Sequence, residues 1–358
     1  MGRFLDNKLS SLVPYTPGEQ PKNVAELIKL NTNECPYPPS PRVIEALNSE
    51  EVTMLRLYSD PACTAFIESV ARYHALEPAQ VFPGNGSDEV LAFCFHGLSP
   101  EGALFADITY GFYPVYADMF GVKSTVVRLH DDFTIRVGDY GGMRGTVFIA
   151  NPNAPTGICL PLTDIEELLS QDTDRLVVVD EAYIDFGGES VDKLLSKYDN
   201  LLVIRTLSKS RALAGARIGY ALGSPELISD LNMMKFSFNP YNMNRLSILA
   251  GAAAMDDVEY FESIRGQIIE SREYTKEQLT ELGFSVLNSS ANFLFAGVNA
   301  RISGEEYFKA LREKGILVRY FSAPRLRDYV RISIGTRQQM EALIKATEEI
   351  LREAEVDA

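Results

Sequence analysis

Between residues 81 and 222, short apolar segments alternate with segments of helical pattern, at intervals of roughly 20 to 30 residues. The apolar segments are the predicted strands of this region, and they cover residues 103–106, 123–129, 146–150, 176–179, 201–204 and 218–222. The clearest helix between them is predicted at 163–170, where Thr163 and Glu166 form a capping-box pattern. Such alternation predicts an α/β domain with a largely parallel sheet, whose ligands bind at the carboxyl ends of the strands.

The pattern changes after about residue 255, where a long amphipathic helix is predicted from residue 258 to its end before Gly283. The remaining predicted elements are helices at 303–314 and 336–354 and strands at 292–296, 316–319 and 329–334. Thr336 and Gln339 again form a capping pattern. These elements predict a smaller α+β domain, which the proline-rich N-terminal arm can join. The predicted division is a large domain at 41–257 and a small domain made of 1–40 and 258–358.

The composition disfavours several classes of protein. The net charge of −15, from 34 basic and 49 acidic residues, disfavours nucleic acid as a partner, because phosphate binding needs positive charge. The four cysteines are scattered without a C-x-x-C pair, so neither a metal site nor a disulfide framework is predicted, and a cytoplasmic protein is expected. No apolar run approaches the about 18 residues of a membrane span, and no signal peptide is recognised.

Four segments follow predicted strands and so fall where an α/β domain binds its ligand. Residues 84–89, GNGSDE, can bring backbone N–H groups to a phosphate, or can form a tight turn with a helix cap. Tyr110 can stack on a flat ring or belong to the core, and residues 151–157, NPNAPTG, form a rigid turn in which an X-Pro bond can be cis. Asp180 ends the most hydrophobic strand and needs a cationic partner, either a protonated ring nitrogen or a structural salt bridge.

Lys209 lies in a hydroxyl-rich loop, TLSKS, that follows the predicted strand 201–204. A lysine can form a Schiff base with an aldehyde, while Thr206, Ser208 and Arg217 can hold a phosphate. These residue types together suit a phosphorylated aldehyde, whereas such a lysine taken alone would be a solvated loop residue.

Together these segments resemble the fold-type-I pyridoxal-phosphate-dependent aminotransferases across nearly the whole chain, with Lys209 lying 29 residues beyond Asp180. More narrowly, the chain resembles the histidinol-phosphate aminotransferase family. The motifs that carry this narrower resemblance are LNTNECPY from Leu30, YSDP from Tyr58, GSDE from Gly86, TLSK from Thr206, LAGAR from Leu213 and VRISIGT from Val330. The resemblance implies a large domain with a mostly parallel seven-stranded sheet between helices and a smaller α+β domain.

The resemblance implies a role for each residue that matches a motif. Lys209 would bond to the cofactor pyridoxal 5′-phosphate as a Schiff base and move the substrate proton, while Asp180 would pair with the pyridinium nitrogen. Tyr183 would hydrogen-bond the ring oxygen O3′, and Tyr110 would stack on the ring. The residues that would hold the phosphate are Gly86, Ser87, Asp88, Thr206, Ser208 and Arg217. Tyr58 would reach the phosphate of the neighbouring subunit's cofactor, which implies a homodimer with shared active sites.

The resemblance also implies a set of substrate contacts. Arg331 would clamp a substrate carboxylate, or part of a substrate phosphate, with two hydrogen bonds. Arg319, which lies 12 residues earlier, would bind the substrate phosphate, and Asn33 and Tyr110 complete the predicted substrate-binding residues.

The chain departs from the family at two positions. Ala154 stands where the family usually has an asparagine that hydrogen-bonds O3′, so either Asn153 takes over this contact or Tyr183 makes it alone. Cys35 stands where the family more often has asparagine, which affects the contribution of the N-terminal arm to the substrate pocket.

The reaction implied by the resemblance is a step of histidine biosynthesis. L-Histidinol phosphate and 2-oxoglutarate would give imidazole-acetol phosphate and L-glutamate, with ping-pong kinetics. An L-threonine-O-3-phosphate decarboxylase and a broad aromatic amino acid aminotransferase are alternatives, because pocket shape rather than motif selects the substrate. A non-catalytic cofactor-binding regulatory module is disfavoured by the acidic charge, and a dinucleotide-dependent oxidoreductase by the lack of a G-x-G-x-x-G motif.

Overall fold

The structure is a computed structural model, and it describes residues 5, 9, 12–21 and 27–356 of the chain. The predicted N-terminal arm at 1–40 therefore lies partly outside the described residues. The described strands are β1 Ile28–Lys29, β2 Val81–Gly84, β3 Ala103–Ala106, β4 Ser124–Val127, β5 Thr146–Ala150, β6 Val177–Asp180, β7 Leu201–Thr206, β8 Gly219–Gly223, β9 Ser285–Val286, β10 Phe293–Gly297, β11 Ile316–Leu317, β12 Arg319–Tyr320 and β13 Tyr329–Ser333.

Helices follow most of these strands along the chain. The described α-helices are α1 Pro41–Ala46, α2 Ser49–Thr53, α3 Thr64–His74, α4 Ser87–Gly97, α5 Phe112–Phe120, α6 Leu162–Gln171, α7 Pro225–Phe238, α8 Arg245–Asp256, α9 Val258–Glu281, α10 Gly304–Glu313 and α11 Arg337–Val356. No helix within the described ranges has both the length and the apolar character that a membrane span needs.

The largest sheet has seven strands in the order β2-β8-β7-β6-β5-β3-β4. β8 is antiparallel to both of its neighbours, and every other pair is parallel. The central strands are continuous apolar runs because helices cover both faces of the sheet. Val177 and Val179 of β6 pack with α3, α6 and α8 on one face, while Val178 packs with α4, α5 and α7 on the other. The predicted α/β fold with a mostly parallel seven-stranded sheet is confirmed.

A second sheet, antiparallel and in the order β12-β13-β10-β9, lies in the C-terminal part of the chain. Helices α9, α10 and α11 pack on it through a separate apolar cluster that includes Leu294, Ile332 and Leu343. β1 of the N-terminal arm pairs with β11 in parallel, and Leu30 joins the same cluster. The described part of the arm around residues 28–30 therefore packs with the smaller α+β part.

The structure differs from the sequence-based expectations in three respects. The single strand predicted at 316–319 is two short strands, because β11 pairs with β1 and β12 pairs with β13. Strands β1 and β9 and helices α2, α5, α7 and α8 have no counterpart among the predicted elements, whereas β2 is the strand expected before residues 84–89. The capping box predicted for Thr163 and Glu166 is wrong, because α6 begins at Leu162 with Pro161 as its N-cap, so that Thr163 already lies in the first turn.

The other capping pattern is confirmed, and a further one is present. Thr336 N donates to Gln339 Oε1 over 2.9 Å, and Gln339 N donates to Thr336 Oγ1 over 3.3 Å. Ser303 caps α10 in the same reciprocal manner with Glu306, which satisfies backbone N–H groups that the helix leaves free.

Ser303 at the start of α10 and Thr163 in the first turn of α6 give a matched pair of variants. Ser303→Ala removes a side chain that accepts a hydrogen bond from Glu306 N, and it should lower the free energy of unfolding by about 1 kcal/mol. Thr163→Ala removes a side chain that caps nothing and should change stability by less than about 0.5 kcal/mol. Urea unfolding of both variants measures the difference. Equal losses would contradict the assignment of these helix starts.

Candidate active site

A cavity opens at the carboxyl ends of β5, β6 and β7, where an α/β sheet binds its ligands. The residues that line it are Ser87, Asp88, Tyr110, Ala150, Pro152, Ala154, Asp180, Ala182, Tyr183, Thr206, Ser208, Lys209 and Arg217. Nine of the residues predicted from sequence are among them. They come from strand ends, a helix start and loops that are distant in the chain, and they meet because the parallel strands end at one edge of the sheet.

Asp180 is the buried charge of this cavity. It ends β6, and only 5% of its surface is exposed. Burial raises the pKa of its carboxyl from 3.8 to about 6, although Tyr113 Oη donates to Oδ2 over 3.1 Å and Ala182 N donates to Oδ1 over 3.2 Å, contacts that oppose the rise. No basic side chain forms a salt bridge with Asp180 among the described residues. The cavity therefore presents a carboxylate that a bound cation would stabilise.

The N-terminus of α4 forms the opposite wall. Its N-cap, Gly86, has φ +77° and supplies no side-chain cap, so the first N–H groups of the helix remain available to an anion. A Cβ atom on Gly219 of β8 would lie 2.3 Å from Ser87 N, which explains why glycine is needed at that position. The loop at 84–89 is therefore a helix start, as predicted, and its geometry suits a phosphate.

Two hydroxyls and a guanidinium complete the anion-binding wall. Thr206 Oγ1 lies 3.0 Å from Ser208 Oγ and accepts a hydrogen bond from Ser208 N over 3.1 Å. Arg217 donates from NH2 to Asp88 Oδ2 over 2.9 Å, and its NH1 lies 3.5 Å from Ser208 Oγ. Because the Arg217 side chain is partly exposed and has donors left over, it can also bind an anion at the helix start.

Lys209 brings an amine to the same cavity. Its Nζ donates to the backbone oxygen of Thr32 over 3.3 Å and lies 5.7 Å from the centre of the Tyr183 ring. No carboxylate within the described ranges forms a salt bridge with Lys209. The predicted alternative of a solvated loop lysine is therefore inconsistent with its half-buried position between the arm and the large sheet.

The two tyrosines of the cavity are held by hydrogen bonds. Tyr110 Oη donates to Asp88 Oδ1 over 2.8 Å, and its ring lies edge-on to Tyr113. Tyr183 Oη accepts a hydrogen bond from Asn33 Nδ2 over 3.0 Å, and its ring packs edge-on against Phe293. Asn33, predicted to contact substrate, is only 1% exposed and thus lies behind Tyr183.

The two arginines predicted to bind substrate belong to the small sheet and do not line the cavity, and Arg319 lines a separate pocket beside Asn31. Arg319 and Arg331 are opposite each other in the β12–β13 pair, so their side chains share one face of the sheet. Arg331 NH2 donates to Asn31 O over 3.0 Å, while its buried Nε has no partner. Burial is the main cause that lowers the pKa of Arg331, and the charge of Arg319 adds to it. Arg319 donates to the backbone oxygens of Thr16 and Pro17 in the arm.

Asn153 and Tyr58 do not line the cavity. Asn153 Nδ2 donates to Ile108 O over 2.9 Å and to Thr156 Oγ1 over 3.2 Å, while Ala154 faces the cavity. Both X-Pro bonds of the 151–157 loop are cis. Tyr58 is 82% exposed and stacks on Tyr241, with ring centres 4.5 Å apart.

Sequence reasoning missed Tyr113 and Thr32 as parts of the site. Tyr113 lies in the first turn of α5, three residues after Tyr110, and its contact with Asp180 joins elements that are distant in the chain. Thr32 acts through its backbone oxygen, for which the side chain gives no signal. No cluster of three or more potential metal ligands occurs in the described parts of the chain.

Comparison with known proteins assigns the class. The sequence pattern of the family described as "Aminotransferase class I and II" matches residues 25–346. The chain therefore belongs to the class I and II aminotransferases, which the cavity with its lysine and buried aspartate supports.

The relatives within that class carry a narrower name. A histidinol-phosphate aminotransferase of Pseudomonas putida is 50% identical over 348 residues, which is 97% of this chain and 99% of the relative. A histidinol-phosphate aminotransferase of Brachyspira hyodysenteriae is 46% identical over 355 residues, which is 98% of this chain and all of the relative.

Solved structures agree in fold. The histidinol-phosphate aminotransferase of Sinorhizobium meliloti, in complex with pyridoxal-5′-phosphate, superposes with a TM-score of 0.86 at 24% identity and covers 99% of each chain. The L-threonine-O-3-phosphate decarboxylase of Porphyromonas gingivalis superposes with a TM-score of 0.78 at 22% identity, covering 91% of this chain and all of that one. The fold alone thus does not separate the two activities.

The burial of Asp180 predicts a pH-dependent loss of stability in the chain without ligand. The pKa of Asp180 is about 6 in the folded chain and 3.8 when exposed, so the folded state binds more protons between these values, and stability falls as pH rises from about 4 to about 6. Asp180→Asn cannot ionise. Its free energy of unfolding, minus that of the wild type, should rise over this interval by on the order of 2 kcal/mol and stay constant above it. Urea unfolding at several pH values tests this, and a difference independent of pH would refute the raised pKa.

Proposed function

We propose that this chain is a pyridoxal-phosphate-dependent transaminase that transfers the amino group of L-histidinol phosphate to 2-oxoglutarate, in histidine biosynthesis. The products would be imidazole-acetol phosphate and L-glutamate. The observation that carries the choice of substrate is the 50% identity, over nearly the full length, with a protein of that name. The cavity supports the chemistry, since a lysine amine and a buried carboxylate face one space.

The residues of the cavity fit the ring of pyridoxal phosphate. Asp180 is buried without a cationic partner, and a protonated ring nitrogen would supply one and favour its ionised form. Tyr113 already holds the second carboxylate oxygen, so the carboxylate is fixed in orientation. Tyr110 would lie against the ring, and Tyr183 would reach its phenolic oxygen.

The residues of the opposite wall fit the phosphate of the same molecule. Backbone N–H groups of Ser87 and Asp88 begin α4 without a side-chain cap, and the helix N-terminus favours an anion. Thr206, Ser208 and Arg217 would add hydroxyl and guanidinium donors. In this role Arg217 would share its guanidinium between Asp88 and the phosphate.

The bound cofactor supplies an aldehyde that bonds to amines and a ring that accepts the electron pair released at the substrate carbon. The chain would contribute the proton transfer. Lys209 Nζ would hold the cofactor aldehyde in the resting enzyme. Once displaced by the substrate amine, it would take the proton from the amine-bearing carbon of the substrate and deliver it to the former aldehyde carbon of the cofactor. General acid–base help of this kind contributes about 10²–10⁴-fold to a rate.

Two arginines are the proposed substrate ligands. Arg331 would bind the carboxylate of 2-oxoglutarate, because its Nε is buried without a partner and a guanidinium binds a carboxylate with two hydrogen bonds. Arg319 would bind the substrate phosphate, and its contacts to the backbone oxygens at Thr16 and Pro17 leave other donors free.

The proposal also covers the departure at Ala154. Because the Asn153 amide nitrogen already donates to Ile108 O and Thr156 Oγ1, it is a poor candidate to donate to the ring oxygen of the cofactor, and Tyr183 would make this contact alone.

The division into a large domain at 41–257 and a small domain at 1–40 and 258–358 remains part of the proposal. A cytoplasmic location is also proposed, because free cysteines and small-molecule substrates suit it.

A homodimer is proposed from the surface around Tyr58. Leu57, Tyr58, Phe238 and Tyr241 are exposed, and the first two directly precede Ser59, whose Oγ donates to Met243 O over 2.7 Å. Tyr58 is 82% exposed and stacks on the exposed ring of Tyr241, and neighbouring exposed apolar side chains of this kind are typical of a surface that binds another protein. A second copy would cover it and would let Tyr58 approach the partner's phosphate site.

A coupled assay tests the reaction. Protein loaded with pyridoxal phosphate would receive L-histidinol phosphate, L-phenylalanine or L-threonine phosphate, each with 2-oxoglutarate, and glutamate formation would be followed. We expect kcat/KM for histidinol phosphate to exceed that for phenylalanine by at least about 100-fold. A substrate without a phosphate leaves the hydrogen-bond donors of the phosphate site unpaired, and this weakens its binding. Lys209→Ala should remove nearly all turnover while the chain remains folded.

The same assay separates the alternatives. Comparable use of phenylalanine would make the chain a broad aromatic aminotransferase. Carbon dioxide from threonine phosphate, without glutamate from any donor, would make it a decarboxylase instead. Near-wild-type transamination by Lys209→Ala would refute the role of the lysine.

The dimer has its own test. Phe238→Glu introduces a charge into the proposed interface and should weaken self-association by at least about tenfold, because an unpaired charge is costly to bury. Met119→Glu, at another exposed apolar position, should leave the molar mass of the protein in solution unchanged. Light scattering after gel filtration measures both. A wild-type monomer, or equal effects of the two variants, would refute this interface.

A further inference from the structure

The hydroxyl of Tyr183 receives a hydrogen bond from an asparagine that lies outside the cavity lining. Asn33 Nδ2 donates to Tyr183 Oη over 3.0 Å, and the Asn33 side chain is buried. The backbone of Asn33 is left-handed, with φ +57°, a conformation that asparagine tolerates better than most residues. The contact joins the N-terminal arm to the loop after β6.

The orientation of the Asn33 amide is fixed by Ser333 of β13. Asn33 N donates to Ser333 Oγ over 2.8 Å, and Ser333 Oγ donates its own hydrogen to Asn33 Oδ1 over 2.9 Å. Asn292 Nδ2 donates to Asn33 O over 3.0 Å and holds the backbone. Since Oδ1 is the acceptor for the serine hydroxyl, the amide nitrogen is the end that faces Tyr183.

This arrangement determines where the Tyr183 proton points. An oxygen that accepts a hydrogen bond from Asn33 cannot donate its own hydrogen in the same direction, so the hydrogen is free for a partner on the cavity side. Tyr183 lines the cavity beside Lys209. The neighbouring loop offers the methyl group of Ala154 there, and Asn153 donates elsewhere.

We propose that Asn33 is a positioning residue that makes the Tyr183 hydroxyl a donor in one direction only, towards the ring oxygen of the bound cofactor. The inference rests on the proposed function, because it needs the cofactor ring beside Tyr183. It gives Asn33 a role different from the direct substrate contact expected from sequence, in keeping with the burial of its side chain.

The readout is the pH titration of the visible absorbance of the bound cofactor. A donor at the ring oxygen stabilises negative charge there, and this favours the deprotonated form. Removing or misdirecting the donor should therefore move the titration midpoint to higher pH. A change in packing alone has no reason to move this midpoint in one direction.

The experiment compares three variants of the cofactor-loaded enzyme. Tyr183→Phe removes the donor and sets the reference shift, which should be roughly tenfold in the proton-dissociation constant. Asn33→Gly keeps the left-handed backbone available and should move the midpoint in the same direction. Ser333→Ala frees the amide to rotate and should do so to a smaller extent. Adding Asn33→Gly to Tyr183→Phe should produce no further shift.

Asn31→Ala is the matched control. Asn31 lies two residues away in the same arm, and its amide donates to Glu19 O rather than to Tyr183, so its removal should leave the midpoint unchanged. A shift with Tyr183→Phe but none with Asn33→Gly or Ser333→Ala, or a shift with Asn31→Ala equal to that with Asn33→Gly, would overturn the role of Asn33 alone. A chain that acquires no cofactor absorbance would overturn the proposed function itself.

Discussion

The burial of one carboxylate, that of Asp180, is the constraint on which the rest of the site depends. The apolar run of β6 carries this residue to the end of a strand that is covered on both faces, where an ionised group is costly. Tyr113 and the N–H of Ala182 reduce the cost without removing it, since the pKa stays raised. The site is thus built around a charge that a cationic ring would complete.

Much of this arrangement follows from local sequence. Buried strands are continuous apolar runs, so the strand ends that carry Asp180 and Lys209 can be predicted, and the small residues at 84–89 indicate a helix start. Partnerships between distant residues cannot be predicted in this way. The bond from Tyr113 to Asp180 spans 67 positions and that from Asn33 to Tyr183 spans 150, and neither leaves a periodic signal. Helix α7 was missed although Ser224 before its first residue is a start signal.

The N-terminal arm links the two sheets at the cavity through three consecutive residues. Along 31–33, one backbone oxygen accepts from Arg331, the next accepts from Lys209, and the following side chain donates to Tyr183. The parallel pairing of β1 with β11 holds this stretch in register. The position of an irregular arm can therefore be as well defined as that of a strand, because side chains from elsewhere in the fold form hydrogen bonds with its backbone.

Arg319 and Arg331 lie directly opposite each other on neighbouring strands, which places two positive charges on one face of the small sheet. Two like charges on one face of a strand pair repel each other, and that repulsion is relieved when an anion lies between or beside them. Dissolved ions weaken both the repulsion and its relief over a distance of about 8–10 Å at ordinary salt concentrations. With these two arginines as the proposed substrate ligands, the preference for doubly charged over neutral substrates would depend on the ionic medium as well as on the chain, and it would narrow as ionic strength rises.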